Sequence, residues 1–197
     1  MTSPKITAII AAHPARLRSG LLSRALQSVL KQTYPVAAVS VAVDLEGAGA
    51  PATRQRALDA VQTEWVAVLD SDDVWMPHHL EKLMGHALET GADFVYSGHE
   101  TLPFPGNSPL PATHFTKPWN AADPIETTVT VLVRTAIAKQ IGYQALDRGE
   151  ANTGEDFRFT LEASRLGAII SCYPHKTWFY DISGQNTSGK PNKGDAR

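Results

Sequence analysis

Apolar positions along this chain follow two alternating rhythms. Ile6 to Ala12 is an apolar, β-branched run that predicts a strand. His13-Pro14-Ala15-Arg16 reads as a short loop. Leu22, Ala25, Leu26, Val29 and Leu30 then recur at helical spacing, and Tyr34-Pro35 stops that helix. Val39 to Val43 predicts a second strand ending at Asp44. The Gly47-Ala48-Gly49-Ala50-Pro51 connection follows, and Pro51 suits the first turn of a helix whose buried face is Ala57, Leu58 and Val61. Trp65 to Leu69 is continuous rather than alternating, as expected of a strand buried on both faces. After Pro77, Leu80, Leu83, Met84, Ala87 and Leu88 form a helical stripe ending at Gly91, and Phe94 to Tyr96 predicts another strand. Three strand–helix alternations imply a parallel sheet with helical cover.

The second half has a different texture. Thr101 to Pro118 carries five prolines and no periodic apolar face. A segment of that kind inside a domain is usually functional or disordered, and a lid over a bound ligand is the expectation. Thr127 to Val133 reads as a strand and Ala136 to Ile141 as a short helix. Gly154-Glu155-Asp156 opens a helix through Leu166, and Ala168 to Cys172 and Lys176 to Tyr180 read as two strands. Residues 186–197 are rich in Gly, Ser, Asn and Lys and read as a flexible tail.

Composition narrows the class. At 197 residues and 43% hydrophobic, the chain can bury a full core, and residues 1–185 read as one domain. The net charge of −2 and the lack of a basic block before the tail argue against a nucleic-acid partner. No apolar run approaches the roughly 18 residues of a transmembrane segment, and the N-terminus runs into a strand without a signal-peptide pattern. Cys172 is the only cysteine, so a disulfide framework is excluded and a cytoplasmic location is expected.

The chemistry concentrates after the buried strand, where Asp70, Asp72 and Asp73 fall within four positions. A parallel strand presents its carboxyl end at the crevice where open α/β sheets bind ligands. In an extended chain Asp70 and Asp72 would point the same way, and crowded carboxylates invite a hard divalent cation. A polar turn leading to the next helix is the plainer alternative. His78, His79 and His86 lack the spacing of a metal pair and read as a solvated helix face. Trp75 and Trp119 read as core, with a place in an acceptor cleft as the second option for Trp119.

In this order, several segments resemble family 2 inverting glycosyltransferases. They are Ala11-Ala12-His13-Pro14-Ala15-Arg16, Ala25 to Pro35, Val43-Asp44, Thr53-Arg54-Gln55-Arg56, Leu69-Asp70-Ser71-Asp72-Asp73-Val74-Trp75-Met76-Pro77, Val131-Leu132-Val133-Arg134 and Gly154-Glu155-Asp156-Phe157. The resemblance implies the GT-A nucleotide-sugar fold, a Rossmann-like α/β three-layer sandwich. Its central sheet is mostly parallel, with a small acceptor-side subregion. Residues 1–100 would bind the nucleotide sugar, and 101–185 would form the acceptor and catalytic half. The implied activity is metal-dependent transfer of a hexosyl group from a nucleotide-diphosphate sugar to an acceptor hydroxyl on a glycan, protein or small molecule. Ala11, Ala12, His13, Arg16, Asp44, Arg54, Asp70, Ser71 and Asp72 would contact the donor. Asp72 and Asp70 would hold Mn2+ or Mg2+, and Asp156, with Glu155 beside it, would be the general base. A metal neutralises the departing diphosphate, and a carboxylate takes the acceptor's proton.

Two positions depart from the family pattern. Asp44-Leu45 stands where an Asp-Asp pair is common, and Ser183 stands where a C-terminal histidine is common, leaving His175 as a substitute metal ligand. Thr153-x-x-Asp156 also fits a helix cap, Asp44 a strand-end turn, and Arg54 and Arg56 either a phosphate grip or a charged helix surface. A donor-binding domain without transfer is one competing reading. Another is a haloacid-dehalogenase-like phosphatase, because Asp70-Ser71-Asp72-Asp73-Val74 also fits that nucleophile loop.

Overall fold

A computed structural model describes residues 3–102, 116–124, 128–143 and 155–182. Most of the proline-rich stretch, Thr153 and Gly154, Ser183 and the 186–197 tail lie outside the described residues.

Three strands, β1 (Ile6–Ala12), β2 (Ala38–Val43) and β3 (Trp65–Asp70), pair in parallel with β1 in the middle. β6 (Val131–Arg134) runs antiparallel between β3 and β5 (Phe94–Leu102). β7 (Ile170–Asp181) lies parallel to β5, and the two-residue β4 (Val74–Trp75) pairs antiparallel with the end of β7. The full order is β2-β1-β3-β6-β5-β7-β4. Only β6 and β4 oppose the common direction, so the sheet is mostly parallel, as the strand–helix alternation implies.

Period-2 alternation divides the core into two faces. Trp65, Ala67 and Leu69 of β3 face α2 (Leu21–Leu30) and α4 (His79–Thr90), sharing a cluster with Leu22, Val29, Leu80 and Leu83. Val66 and Val68 face α3 (Ala50–Asp59), α5 (Thr135–Ile141) and α6 (Glu155–Arg165) through Leu58, Ala138 and Phe159. Helices on both faces of one sheet make the three-layer α/β sandwich. Among the described residues, no helix is long and apolar enough to cross a membrane.

Several local expectations are corrected. Pro14–Arg18 forms a helical turn, α1, because Pro14 occupies its first position and His13 caps it by accepting from the Ala15 amide at 3.2 Å. The predicted strand from Thr127 begins only at Val131, where Thr128 and Thr130 are locally bonded at 3.0 Å instead. β7 is one strand rather than two. Its register shifts around Gly98, where Pro174 and His175 bulge out of the ladder. His79 is not solvated: it is fully buried, stacks on Trp75 with ring centroids 4.7 Å apart, and bonds Thr177 at 2.7 Å. Trp75 is core as expected. Trp119 packs against the second cluster and donates to Ser164 at 3.3 Å.

Candidate functional site

The carboxyl ends of β2, β1 and β3 meet at one edge. Ala12 pairs with Val43 and Ala11 with Asp70. The Asp44 amide donates to the Ala12 carbonyl at 2.8 Å. Ala11, Ala12, Asp44 and Asp70 therefore share a rim, with Ser71 buried just beyond it. Asp44 takes backbone donors on both carboxylate oxygens, from Ala48 at 2.8 Å and Gly49 at 2.9 Å. The Gly49 amide, with help from Ala48, pulls the Asp44 carboxyl below its usual range. In this structure Asp44 orders the loop into α3, the turn role that its position at a strand end allows.

Past Asp70 the chain turns, and strand alternation no longer applies. Asp70 is held by Arg54 of α3, with Nη2 2.8 Å from Oδ1, and Asp72 by Arg16 of α1, with Nη2 2.9 Å from Oδ2. The expectation that the two carboxylates point the same way as i and i+2 of a strand is replaced by this turn, which offers them to cations on different helices. They still feel one another. Burial first, then the Asp70 charge, raises the Asp72 carboxyl to about 6, although Arg16 opposes the rise. Asp73 is buried completely enough to be pushed well above the usual range by desolvation, then by Asp70 and Asp72.

The loop is closed from behind by two residues that sequence reasoning missed. Arg24 of α2 bonds the carbonyl of Asp72 at 2.6 Å and pairs with the Asp181 carboxylate. The Asp181 amide in turn donates to Asp73 Oδ1 at 3.0 Å. The only signal for them was an acidic residue ending a strand and a lone cation interrupting the apolar stripe of a helix.

Arg54 is buried and also pairs through Nη1 with Glu155, while its guanidinium lies 5.3 Å from the Tyr143 ring centre. Burial opposes its charge, but Asp70 and Asp156 outweigh that and raise its pKa. Arg54 thus sits beneath the rim, committed to carboxylates rather than set as an open phosphate grip. Glu155 and Asp156 occupy the first turn of α6, where the helix dipole favours acids. His13 is spent as the cap of α1. His175 sits in the bulge of β7, and among the described residues it joins no group of three His, Cys, Asp or Glu that could hold a metal.

Mg2+ and Mn2+ commonly take one or two carboxylates plus substrate phosphates, and Asp70 and Asp72 would be those carboxylates. Burial is the larger cause of the rise at Asp72, and the Asp70 charge that adds to it is what a cation between the two would relieve. Among the described residues, no three His, Cys, Asp or Glu side chains converge as a complete cage. The other ligands would therefore come from diphosphate and water.

A three-layer sandwich whose parallel strands end in acids at one rim defines the GT-A class of nucleotide-sugar folds. Residues 39–136, just under half of the chain, match the family model of Glycosyl transferase family 2. S. aureus TarS 1-349 superposes with a TM-score of 0.72 at 21% identity, covering 90% of this chain and 60% of that one. Its complex with UDP-GlcNAc also gives 0.72, at 20% identity, covering 90% and 58%. TuaG of Bacillus subtilis (strain 168), named for teichuronic acid biosynthesis as a glycosyltransferase, is 37% identical over 57 residues. That alignment covers 29% of this chain and 23% of TuaG, so the chain spans only part of the relatives it matches.

Proposed function

We propose that this chain transfers a sugar from a nucleoside-diphosphate sugar, with a uridine nucleotide as the first candidate, to an acceptor hydroxyl with inversion. The observation carrying this reading is that Arg54 joins Asp70, at the donor rim, to the first turn of α6, where Asp156 stands. Donor-side and acceptor-side carboxylates thus meet around one buried cation. Ala11 and Ala12 line the nucleotide end of the rim, and Asp70 and Asp72 would hold a divalent ion there. That ion, when bound, supplies the positive charge that makes the diphosphate a leaving group. Asp156 accepts the acceptor's proton as its oxygen bonds to the anomeric carbon and the bond to diphosphate oxygen breaks on the opposite face. The proposal includes a hexosyl donor and a cytoplasmic location, the latter resting on the single cysteine and composition.

UDP-sugars with and without Mn2+ test it through melting temperature and UDP release. Ligand and metal together should raise the melting temperature more than either alone. A melting curve unmoved by UDP-, GDP- and dTDP-sugars with Mn2+ would remove the donor assignment.

A further inference from the structure

Arg54 is 5% exposed, and its charge cannot be relieved by losing a proton. Its neutralisation rests on the carboxylates around it, with Asp70 at Nη2, Glu155 at Nη1 and Asp156 acting through its charge, and the Tyr143 ring lies beside it. The two carboxylates it touches are not equivalent. The Asp70 side chain is 36% exposed and stands at the donor rim, whereas Glu155 is more enclosed, at the start of α6. A donor-bound cation that draws on the charge of Asp70 weakens its hold on Arg54. The buried guanidinium then depends more heavily on the first turn of α6, on Glu155 by contact and on Asp156 by charge, because a buried charge left without a partner is costly.

We propose that Arg54 is a positioning residue that makes Asp70 and Glu155 energetically interdependent, so that donor binding tightens the first turn of α6 and fixes Asp156 before the acceptor is attacked. This deepens, and rests on, the donor reading above. Arg54 takes up and gives up no proton in this scheme. It transmits the state of one carboxylate to the other, and linkage is reciprocal: whatever the donor does to Glu155, Glu155 does to donor affinity. Glu155 therefore influences the binding of a nucleotide it does not touch.

The test is a double-mutant cycle read by calorimetry, with UDP and MnCl2 as the probe and the full chain as the protein. Glu155→Gln should weaken Mn2+-dependent UDP binding about tenfold, within the usual range of coupling between sites. In an Arg54→Met background the same change should have an effect under about twofold, since the cation that links the carboxylates is gone. Hydrogen exchange gives a second reading: UDP with Mn2+ should protect residues 155–160 in the parent chain and fail to do so in Glu155→Gln. If Arg54→Met does not fold, Arg54→Lys replaces it. A single ammonium cannot span both carboxylates, so the Glu155 effect should shrink there as well. An equal loss in both backgrounds, or none in either, overturns the link while leaving the donor site standing. Absence of any UDP binding to the parent chain overturns both.

Discussion

The guanidinium of Arg24 reaches the carboxylate of Asp181 and, through the same nitrogen, the backbone carbonyl of Asp72 at 2.6 Å. One side chain thus ties the last described strand to the loop bearing the candidate metal ligands, across 157 positions of sequence. Asp181 is only 2% exposed, so it depends on this partner. Arg24→Ala should destabilise the fold by about 2 kcal/mol, below the full value for a buried pair because Arg24 itself is partly solvated. Adding Asp181→Asn should recover much of that loss. Denaturant unfolding of the two single variants and the double variant measures it, and additive losses would contradict a direct dependence.

Asp72→Asn should abolish most of the Mn2+ dependence of UDP affinity while leaving the fold intact, since the amide keeps the side chain's shape and an oxygen that can accept from Arg16. Titration of UDP with and without Mn2+ decides this. Unchanged metal dependence would remove Asp72 as a ligand.

Asp156→Asn keeps the shape of the side chain and removes the base. UDP and metal binding should stay near the parent values, while transfer falls by roughly 10²–10⁴-fold. If Asp156 only favours the helix start, turnover would stay near normal and stability would fall by about 1 kcal/mol or less. Melting temperature and turnover measured on this one variant separate the two roles.

Acid should act through His79. Burial holds its imidazole down at about 3, against 6.5 when free, so the native state resists a proton that the unfolded chain accepts. The stability this confers is full above about pH 6.5 and is lost as pH falls toward 3. Between pH 7 and 5 the parent should lose about 2 kcal/mol relative to His79→Gln, which has no such proton to exclude. The raised carboxyls of Asp72 and Asp73 act in the opposite sense in both proteins and cancel in the comparison. A difference that stays constant across that range would refute the assignment.

How legible the fold was depended on burial. Ile6–Ala12 and Trp65–Leu69 stand out because both faces are covered and every position is apolar. β5 is longer than its apolar core suggests: Ser97, Gly98, His99 and Glu100 continue it because β7 pairs alongside and His99 packs on Trp178. β4 was invisible, since two residues carry no period. Pro174 is tolerated within β7 because β4 pairs with it only at Trp178 and Phe179, which leaves the outer edge at Pro174 without a ladder among the described residues. At the site, the acids of one short stretch could be found by spacing. Arg24 and Asp181 could not, because their meaning comes from a contact that no local pattern encodes. Arg54 was noticed, but its burial, and with it the change from phosphate grip to internal partner, belongs to tertiary packing.

The division of β3 between two unlike faces has a bearing on how errors at the site are avoided. A slip of one residue against β1 would present Ser71 where Asp70 now stands, and the strand's hydrogen bonds alone would barely register the mistake. The same slip would drive Trp65 out of the large-residue cavity beneath α2 and α4 and into the layer filled by Val66, Leu58 and Phe159. The tryptophan at the far end of the strand therefore works as a measuring stop. It sets the carboxylates in place from a distance, and a deletion anywhere between Trp65 and Asp70 would be read as misfolding before it could be read as lost chemistry.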